Sequence, residues 1–410
     1  MDPGWCAVSG HTKRLAKRVN STNEGFEISV EKLIENPNLV TFIRENNNTL
    51  PNLHLVGTGS ITNDKALFEL ITRYCTNSAK KLKFSWMTIN IPFEKLQPFA
   101  LLKEVTFDTC TIENESILNF NRWCPNVANL IFDEGTTLSH SALDALKSST
   151  QALPHVKSLS IDFKSSSLKL TREWLAVLNQ QFPQLENLEL TLKDEDSFNG
   201  RTLTDTYQPL YFSNLKKLSV QAFGNDIDKL FDYMAISNKK LKELIFIGLV
   251  DTQELYDWIK SCKKLQKLTV DCRYLTGYMS DVTDMPLVKE LKLEAKKLDM
   301  EPNEIIQTAR NLPRLNLLDI VSDYGNDDIQ FGQEYKDMFA DLNKERKKLT
   351  IKVFFHEEKR EIKISEKGFS EKFGVVENDN PLNTMEHFEK CISDILKKTE
   401  RQVEDLLGNK

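Results

Sequence analysis

The sequence has no long apolar run, little glycine or proline, and no strong excess of one charge. No stretch approaches the ~20 apolar residues of a membrane-spanning helix, and residues 1–20 lack the apolar core of a secretory signal. With 15 glycines, 13 prolines and 40% apolar residues, the chain has the composition of an ordered globular protein. The net charge of −6 gives no general attraction to nucleic acid or anionic lipid. We therefore expect binding to neither membranes nor nucleic acid.

Cysteine and histidine are also scarce. Seven cysteines, an odd number without an export signal, indicate reduced thiols and a cytoplasmic location, with the nucleus as the alternative. Zinc sites need Cys-x-x-Cys or Cys and His at short spacings, which the sequence lacks. None of the six histidines accompanies a Ser or Cys in a nucleophile motif, and Gly57-Thr58-Gly59 lacks the Gly-Lys of a phosphate loop. We expect no metal, no cofactor and no catalytic residue, and we predict that this protein is not an enzyme.

One apolar phrase, Leu-x-x-Leu-x-Leu with modest substitutions, recurs along most of the chain. Its middle apolar residues are Leu53, Leu82, Val105, Leu130, Leu159, Leu188, Leu218, Leu244, Leu268, Leu291 and Leu318. The shortest interval is 23 residues (Leu82 to Val105) and the longest is 30 residues (Leu188 to Leu218). These intervals fall on the leucine-rich-repeat period, with slight overruns.

Each copy combines two periodicities. Val105 and Phe107 alternate with Glu104, Thr106 and Asp108, which predicts a short strand with one buried face. Helical spacing follows in several copies, at Ala66-Leu67-Leu70-Ile71-Tyr74, Trp174-Leu175-Leu178, Leu230-Phe231-Met234 and Leu255-Trp258-Ile259, and more roughly from Ile112 to Trp123. Narrow strands stacked beside wide helices impose curvature. The predicted fold is therefore an α/β leucine-rich-repeat solenoid, a horseshoe with parallel strands on the concave face and helices on the convex face.

The two ends differ from the middle, which gives three predicted regions. Residues 1–49 form an N-terminal segment or cap, in which residues 26–43 are a capping helix or an incomplete repeat. Residues 50–355 hold about eleven repeats, and Leu349, Ile351 and Val353 alternate like a last strand. Residues 356–410 are predicted as a charged loop, over about 357–380, followed by a C-terminal helix. The apolar face of that helix is Met385, Phe388, Ile392, Ile395, Leu396, Val403 and Leu406. It either caps the array or docks a partner.

Residues that alternate with the buried ones are the candidate binding residues, since they line the concave face. They are Glu104, Thr106, Asp108, Asn129, Ile131, Asp133, Ser160, Asp162, Glu189, Lys217, Glu243, Ile245, Ile247, Lys267, Asp271 and Lys292. The first half is acidic, which favours a partner protein with a basic segment. The three isoleucines are candidate contact anchors, unless a shifted register buries them.

The repeats resemble the cysteine-containing leucine-rich repeats of F-box proteins. The resemblance rests on Cys110-Thr111-Ile112-Glu113-Asn114, on Cys124-Pro125-Asn126-Val127, on Ile61-Thr62-Asn63-Asp64 before Cys75, and on Cys262-Lys263-Lys264-Leu265. It covers roughly residues 50–353. It implies a substrate-recognition face for ubiquitination and, where an F-box is present, binding to the adaptor of a cullin–RING ligase. Residues 1–49 contain no recognisable F-box.

Two functions follow as hypotheses. The first is a protein-interaction module, a substrate-recognition or scaffold protein like the F-box repeat receptors, with a cullin–RING ligase adaptor as a further expected partner. The second is a repeat-containing regulator of an enzyme or a GTPase, of inhibitor or activator type, without a ligase connection. Activators often supply an Arg finger, and Arg273 at the edge of the concave face is the nearest candidate.

Overall fold

The chain has an α/β fold built on one large, mostly parallel sheet. The computed structural model describes residues 26–36, 38–47, 50–89, 97–112, 120–133, 135–138, 153–162, 172–192, 212–222, 240–248, 259, 261–271, 285, 287–297, 301–324, 333–356 and 360–373. The helix predicted between Met385 and Leu406 and those predicted around Leu230 and Trp258 lie outside the described residues.

Eighteen strands lie within the described ranges. They are β1 (Phe26–Ser29), β2 (Asn52–Val56), β3 (Lys81–Ser85), β4 (Thr88–Ile89), β5 (Glu104–Asp108), β6 (Thr111–Ile112), β7 (Asn129–Phe132), β8 (Thr137–Leu138), β9 (Ser158–Asp162), β10 (Asn187–Thr191), β11 (Lys217–Ala222), β12 (Glu243–Gly248), β13 (Lys267–Asp271), β14 (Glu290–Lys297), β15 (Leu317–Tyr324), β16 (Thr350–Phe355), β17 (Arg360–Ser365) and β18 (Gly368–Phe373). All except β4, β6 and β8 form a fifteen-stranded sheet whose strands follow one another in chain order.

The register of this sheet has the phase predicted from the sequence. Leu53 pairs with Leu82, which pairs with Val105, and the series continues from strand to strand as far as Leu318. It extends to Phe26 in β1 and to Ile351 in β16. The parallel sheet therefore begins within the segment predicted as an N-terminal cap.

The C-terminal end of the sheet corrects one prediction. The charged loop predicted from residue 357 is wrong for residues 360–373, which form the antiparallel hairpin β17–β18 on the edge of β16. Ile362 and Ile364 alternate with charged residues and are buried, because β16 offers them apolar partners, and Gly368 turns the hairpin with a φ of 98°. The strand predicted at Leu349 to Val353 is confirmed, but two further strands follow it.

Helices connect several of the parallel strands. They are α1 (Val30–Glu35), α2 (Asn38–Glu45), α3 (Ile61–Tyr74), α4 (Phe120–Trp123), α5 (Arg172–Gln181), α6 (Pro302–Asn311) and α7 (Gln333–Glu345). The helices predicted around Leu67 and Leu175 are confirmed as α3 and α5. Their apolar faces share one cluster of buried side chains with the inward residues of the strands, from Phe26 to Ile364. The core is therefore a continuous layer between the long sheet and these helices.

Aromatic rings fill the core at its N-terminal third. Phe84, Phe107 and Phe132 are register neighbours whose rings stack at 5.3 and 5.4 Å between centroids. The buried indole of Trp123 lies edge-on to the rings of Phe68 and Phe99. Such ring pairs stabilise beyond the area they bury, by about 0.5–1.5 kcal/mol each. They join α3 and α4 to the strands beneath them.

A second, three-stranded parallel sheet lies beside this part of the core. Its strands β4, β6 and β8 each follow a strand of the long sheet by a few residues. Ile112 was predicted to begin a helix but lies in β6, because its backbone pairs with Ile89 and Leu138.

None of the described helices has both the length and the apolar character needed to cross a membrane.

Candidate functional site

The side chains that alternate with the core residues form the second face of the long sheet, which we term the polar face. All sixteen predicted binding residues belong to its strands or directly follow one. Fifteen of them have described side chains, and each is partly or fully exposed: Glu104, Thr106, Asp108, Asn129, Ile131, Asp133, Ser160, Asp162, Glu189, Lys217, Glu243, Ile245, Ile247, Lys267 and Lys292. The backbone of Asp271 pairs with Ile247 on one side and with Glu294 on the other. The strands therefore do not have the shifted register that would bury Ile131, Ile245 and Ile247.

Lysines of β3 neutralise part of the acidic half of the polar face. Lys81 Nζ lies 3.0 Å from Glu104 Oε1, and Lys83 Nζ lies 2.7 Å from Asp108 Oδ2. Both lysines come from a weak copy of the repeat, so the sequence did not identify them as candidates. The polar face is therefore less acidic at β5 than predicted, whereas Asp133 and Glu189 remain exposed further along.

Asp108 is held in its ionised form. Burial opposes ionisation, but the hydrogen bond and the positive charge of Lys83, with hydrogen bonds from Thr109 and Ser85, lower the pKa of Asp108 overall. The Thr109 hydroxyl donates to Asp108 Oδ1 at 3.1 Å and the Ser85 hydroxyl donates to Oδ2 at 3.2 Å. A fixed carboxylate at this point orders the side chains of the two preceding strands.

The sequence also missed His54 of β2, which completes this network. Its Nε2 lies 2.9 Å from Ser85 Oγ, and its Nδ1 lies 3.7 Å from Glu27 Oε2. Because the serine proton is directed to Asp108, the neutral ring donates through Nε2. Burial and then the charge of Lys83 lower the pKa of His54, against the attraction of Glu27 and Asp108.

Ser85, His54 and Glu27 lie side by side in the order of a Ser-His-acid catalytic triad, but their geometry is not that of a triad. A catalytic serine donates its proton to the histidine, whereas Ser85 donates to Asp108. Ser85 is 3% exposed, and 3.7 Å is too long for a hydrogen bond between His54 and Glu27. The network orders the polar face and presents no accessible nucleophile.

The rim beyond the ends of β3, β5 and β7 has an unusual backbone. Trp86, Thr109 and Gly135 have φ values of 57°, 53° and 75°, at equivalent places in successive repeats. The left-handed region costs a bulky residue about 1–3 kcal/mol. Trp86 nevertheless holds its indole 62% exposed, while its N–H donates to Asp108 O and its carbonyl accepts from Gly59 N. An exposed aromatic on a fixed backbone suits a contact residue.

Gly57 and Asp64 hold the neighbouring part of that rim. The buried carboxylate of Asp64 accepts the Thr58 N–H at 2.9 Å and the Thr88 N–H at 2.8 Å. A Cβ on Gly57 would lie 2.6 Å from Asp64 Oδ1 and 2.5 Å from Met87 Cγ, so only glycine fits. The amides of the Gly57-Thr58-Gly59 segment are thus satisfied by Asp64 and by the backbone carbonyls of Ser85 and Trp86.

Alternating charges run across the middle of the polar face. Lys217 Nζ lies 2.8 Å from Glu243 Oε1, and Lys267 Nζ lies 2.7 Å from Glu290 Oε2. The hydrogen bond from Lys267 to Glu290 raises the pKa of the lysine. These pairs join β11 to β12 and β13 to β14. With Glu290 included, the predicted residues Lys217, Glu243 and Lys267 form two neutral pairs, so this part of the face has no net charge from them.

Ile245 and Ile247 of β12 stand beside these pairs on the same face. Ile245 is flanked in register by Ser219 and Thr269, and Ile247 by Gln221 and Asp271. Both isoleucines are partly exposed, although the strands on either side are paired with β12. Apolar side chains with small polar neighbours leave room for a partner's side chain to reach them.

Four of the seven cysteines lie within the described residues, and all four belong to the core. Cys75, Cys110, Cys124 and Cys262 are buried thiols, and burial raises the pKa of the Cys75 and Cys262 thiols to about 12. Cys75 and Cys124 follow α3 and α4 directly, where their N–H groups donate to Ile71 O and Phe120 O. Cysteine, small and weakly polar, thus fills a buried position directly after each of these helices. Within the described ranges, no three His, Cys, Asp or Glu side chains gather at a place that would hold a metal ion.

Comparison with known proteins adds no assignment to this geometry. No protein-family model matches the chain. No curated protein matches it with significance.

Proposed function

We propose that this chain is a leucine-rich-repeat solenoid that binds another protein through the polar face. A repeat array is supported by the long sheet, whose strands follow one another in chain order. The interval from one repeat to the next is 23 residues at its shortest (Leu82 to Val105) and 30 residues at its longest (Leu188 to Leu218). Strands are spaced by about 4.8 Å and helices by about 10 Å. Their mismatch curves the sheet and makes the polar face the concave one.

The observation that carries the binding proposal is the composition of that face. It continues from strand to strand, most of its described side chains between β5 and β13 are partly or fully exposed, and it mixes ordered charges with isoleucines. Solenoids use such extended concave surfaces for partners. Ile131, Ile245 and Ile247 are the proposed anchors, and Trp86 on the rim adds a fourth.

The chemistry of the partner follows from the acidic side chains of this face. Glu189 is exposed between Ser160 and Ser219, Asp162 lies on the preceding strand β9, and the exposed Asp133 directly follows β7. We propose that a basic segment of the partner contacts this acidic group. Long-range attraction of this kind raises the association rate more than the affinity.

We propose a cellular role as a substrate-recognition or scaffold protein, like the F-box repeat receptors that the repeats resemble, acting by binding and without catalysis. Buried cysteines at the turns after α3 and α4 support the resemblance. A cullin–RING ligase adaptor that co-purifies with the full chain would support the ligase role. Its absence would remove that role and leave partner binding unaffected.

Crosslinking of the full chain in its native complexes tests the binding face. With a lysine-reactive reagent, partner peptides should attach to Lys83, Lys217, Lys267 and Lys292 on the polar face. Exposed lysines elsewhere, such as Lys65 on α3 and Lys344 on α7, should attach few. Partner crosslinks concentrated on the helices would contradict the proposal.

A paired variant sharpens this test. Ile245→Asp with Ile247→Asp should lower the captured partner by about 10-fold or more, since buried anchors carry most of the binding energy. Val40→Asp is the matched control, because Val40 is an exposed apolar residue on α2, away from the polar face. Equal loss in the two variants would show a general effect of the new charge.

A further inference from the structure

Lysines line the edge of the long sheet at which its parallel strands begin. From β2 to β16, six of the twelve residues that directly precede a strand of this sheet are lysines, and one is a glutamate, Glu186. The six lysines are all exposed: Lys80, Lys103, Lys157, Lys216, Lys242 and Lys289. We term these six residues the lysine rim. This local excess of positive charge contrasts with the net charge of −6 on the whole chain.

The sheet holds the backbone of the lysine rim in register. Lys103 N donates to Lys80 O at 2.8 Å, and Lys242 N donates to Lys216 O at 2.8 Å. Adjacent strands lie about 4.8 Å apart, so the six steps from β3 to β12 separate Lys80 from Lys242 by about 30 Å. The rim is therefore a fixed row of cations, and an extended segment of about nine residues would span this part of it.

Ion pairs neutralise only the middle of the lysine rim. Lys216 Nζ lies 2.6 Å from Glu186 Oε2, and Lys157 Nζ lies 3.6 Å from Glu186 Oε1. The other four lysines form no ion pair with any residue in the described ranges: Lys80, Lys103, Lys242 and Lys289. Exposed cations without a carboxylate beside them, repeated along a fixed backbone, create a field that attracts an anionic partner.

An exposed leucine stands beside the first two lysines of the rim. Leu101 lies in the turn before Lys103 and is 47% exposed. The carbonyl of Ala100 accepts a hydrogen bond from Asn126 Nδ2 at 2.9 Å, which ties this turn to the next repeat. An apolar side chain on a tethered turn, next to cations without ion-pair partners, suits a segment that combines acidic with apolar residues.

We propose that the lysine rim binds an extended acidic segment of a partner protein, with an apolar residue of that segment in contact with Leu101. None of the six lysines belongs to the sixteen residues assigned to the polar face, so the rim is a second contact surface. Its charges set the chemistry of the segment and its association rate, and Leu101 fixes where along the rim the segment binds.

The surroundings of the rim favour a polypeptide over a nucleic acid. Glu104 and Glu290 directly follow lysines of the rim, and they pair at 3.0 Å with Lys81 Nζ and at 2.7 Å with Lys267 Nζ. Such carboxylates repel a backbone that carries a charge at every nucleotide, whereas the acidic residues of a peptide can be spaced to avoid them. Single-stranded nucleic acid also binds by stacking on aromatic side chains, and the exposed tryptophan of the described ranges, Trp86, lies at the other end of β3.

Fluorescence polarisation with the full chain tests the proposal without a natural partner. The probe is a labelled peptide of about 12 residues in which Glu and Leu alternate, and it should bind with a Kd of about 100 μM or lower. Raising the ionic strength from about 0.05 to about 0.2 M should weaken binding at least ~3-fold, because exposed charges are screened. Lys80→Glu with Lys103→Glu should weaken it at least ~10-fold. Lys65→Glu with Lys372→Glu is the matched control, since it changes the net charge equally at exposed residues off the rim, and it should weaken binding less than ~2-fold.

A second peptide, with every Leu replaced by Ser, tests the contact with Leu101. Leu101→Ser should weaken binding of the Glu-Leu peptide at least ~3-fold and leave the weaker binding of the Glu-Ser peptide unchanged, because only the first peptide offers an apolar side chain. Circular dichroism would verify that each variant keeps its sheet.

Three results would overturn the proposal. The first is no binding of either peptide to the unmodified chain. The second is an equal loss in the rim variant and the matched control, since the peptide would then respond to net charge alone. The third is tighter binding of oligouridylate or of phosphatidylserine vesicles that Lys80→Glu with Lys103→Glu abolishes, which would assign the rim to a nucleic acid or to a membrane. Each of these results would leave the proposed binding through the polar face standing, because the variants do not alter that face.

Discussion

At the scale of single residues, the surroundings of His54 make the polar face sensitive to pH. Glu27 and Lys32 approach the ring from β1 and α1, Lys83 and Ser85 from β3, and Asp108 from β5. Burial, followed by the charge of Lys83, lowers the pKa of the ring below its unfolded value of 6.5. Because the pKa of the ring is lower in the folded state, the neutral ring contributes stability that is fully present at pH values above the unfolded-state pKa. That stability is lost as the pH falls through the folded-state pKa.

His54→Gln should therefore reduce the pH dependence of stability in the acidic range. Between about pH 7.5 and about pH 5.5, the urea midpoint of the unmodified protein should fall, and that of the variant should fall less. The exposed His155, replaced as His155→Gln, is the control and should retain the slope of the unmodified protein. Parallel slopes in all three proteins would show that His54 is not the group responsible.

Individual partners at this scale were beyond prediction from the sequence. The alternation predicts that Glu104 and Asp108 point away from the core, and they do. It does not predict that Lys81 and Lys83 reach them, because ion pairing depends on the register of the neighbouring strand and on side-chain rotamers. Trp86 is a similar case, since its left-handed φ follows from stacked loops and not from its own preference.

At the scale of elements, Arg346 joins the end of α7 to the end of α6. Its guanidinium donates to Leu312 O at 2.8 Å and also to the carbonyls of Ala309 and Leu315. These are carbonyls of the last helical turn and the following loop, which a helix leaves without internal partners. Burial lowers the pKa of the guanidinium.

Arg346→Lys should destabilise the protein by about 2–4 kcal/mol, because the single nitrogen of an ammonium cannot replace hydrogen bonds donated from two separate guanidinium nitrogens. Chemical denaturation followed by circular dichroism would measure the loss. Lys344→Ala, two residues away and exposed in a surface pair with Asp341, should leave the denaturation midpoint unchanged. A cost for Arg346→Lys as small as the control's would exclude the bridging role.

Elements were predictable where the periodicity is long and repeated. The strands of the long sheet from β5 to β15 follow from a phrase that recurs in phase, and α3 and α5 follow from clear apolar stripes. The hairpin β17–β18 was missed because Ile362 and Ile364 stand among many charges, which resembles a loop until β16 offers an edge. Ile112 was misassigned for the same reason, since β6 exists only through pairing with β4 and β8.

At the scale of the whole molecule, the sequence predicts the geometry of the site better than its chemistry. The phase from Leu53 to Leu318 determines which side chains share a face over eleven strands, and the structure places them there. The net charge of that face depends on pairs between strands, so the acidic groove was predicted as stronger than it is. The burial of Glu294 and Val321 was not predictable, because both have the same sequence pattern as exposed residues of the polar face.

Because the strands of the long sheet follow one another in chain order, a defect in the core should destabilise mainly the neighbouring strands. In the long sheet, each strand from β2 to β17 pairs with the strand before it and the strand after it in that sheet. Leu188, fully buried in β10, touches the neighbouring repeats and is far from β15 and β16. Leu188→Ala should cost about 2–5 kcal/mol through the cavity it leaves.

That cost should appear locally in native-state hydrogen exchange. Amides of residues 158–162, 187–191 and 217–222 should exchange faster in Leu188→Ala, whereas those of 317–324 and 350–355 should change little, because stability in a linear array is a sum of neighbour terms. Glu189→Ala, the adjacent exposed residue, should leave both groups unchanged. An equal increase at β10 and at β16 would mean that the sheet opens as one cooperative unit, and the additive picture of separate repeats would be wrong.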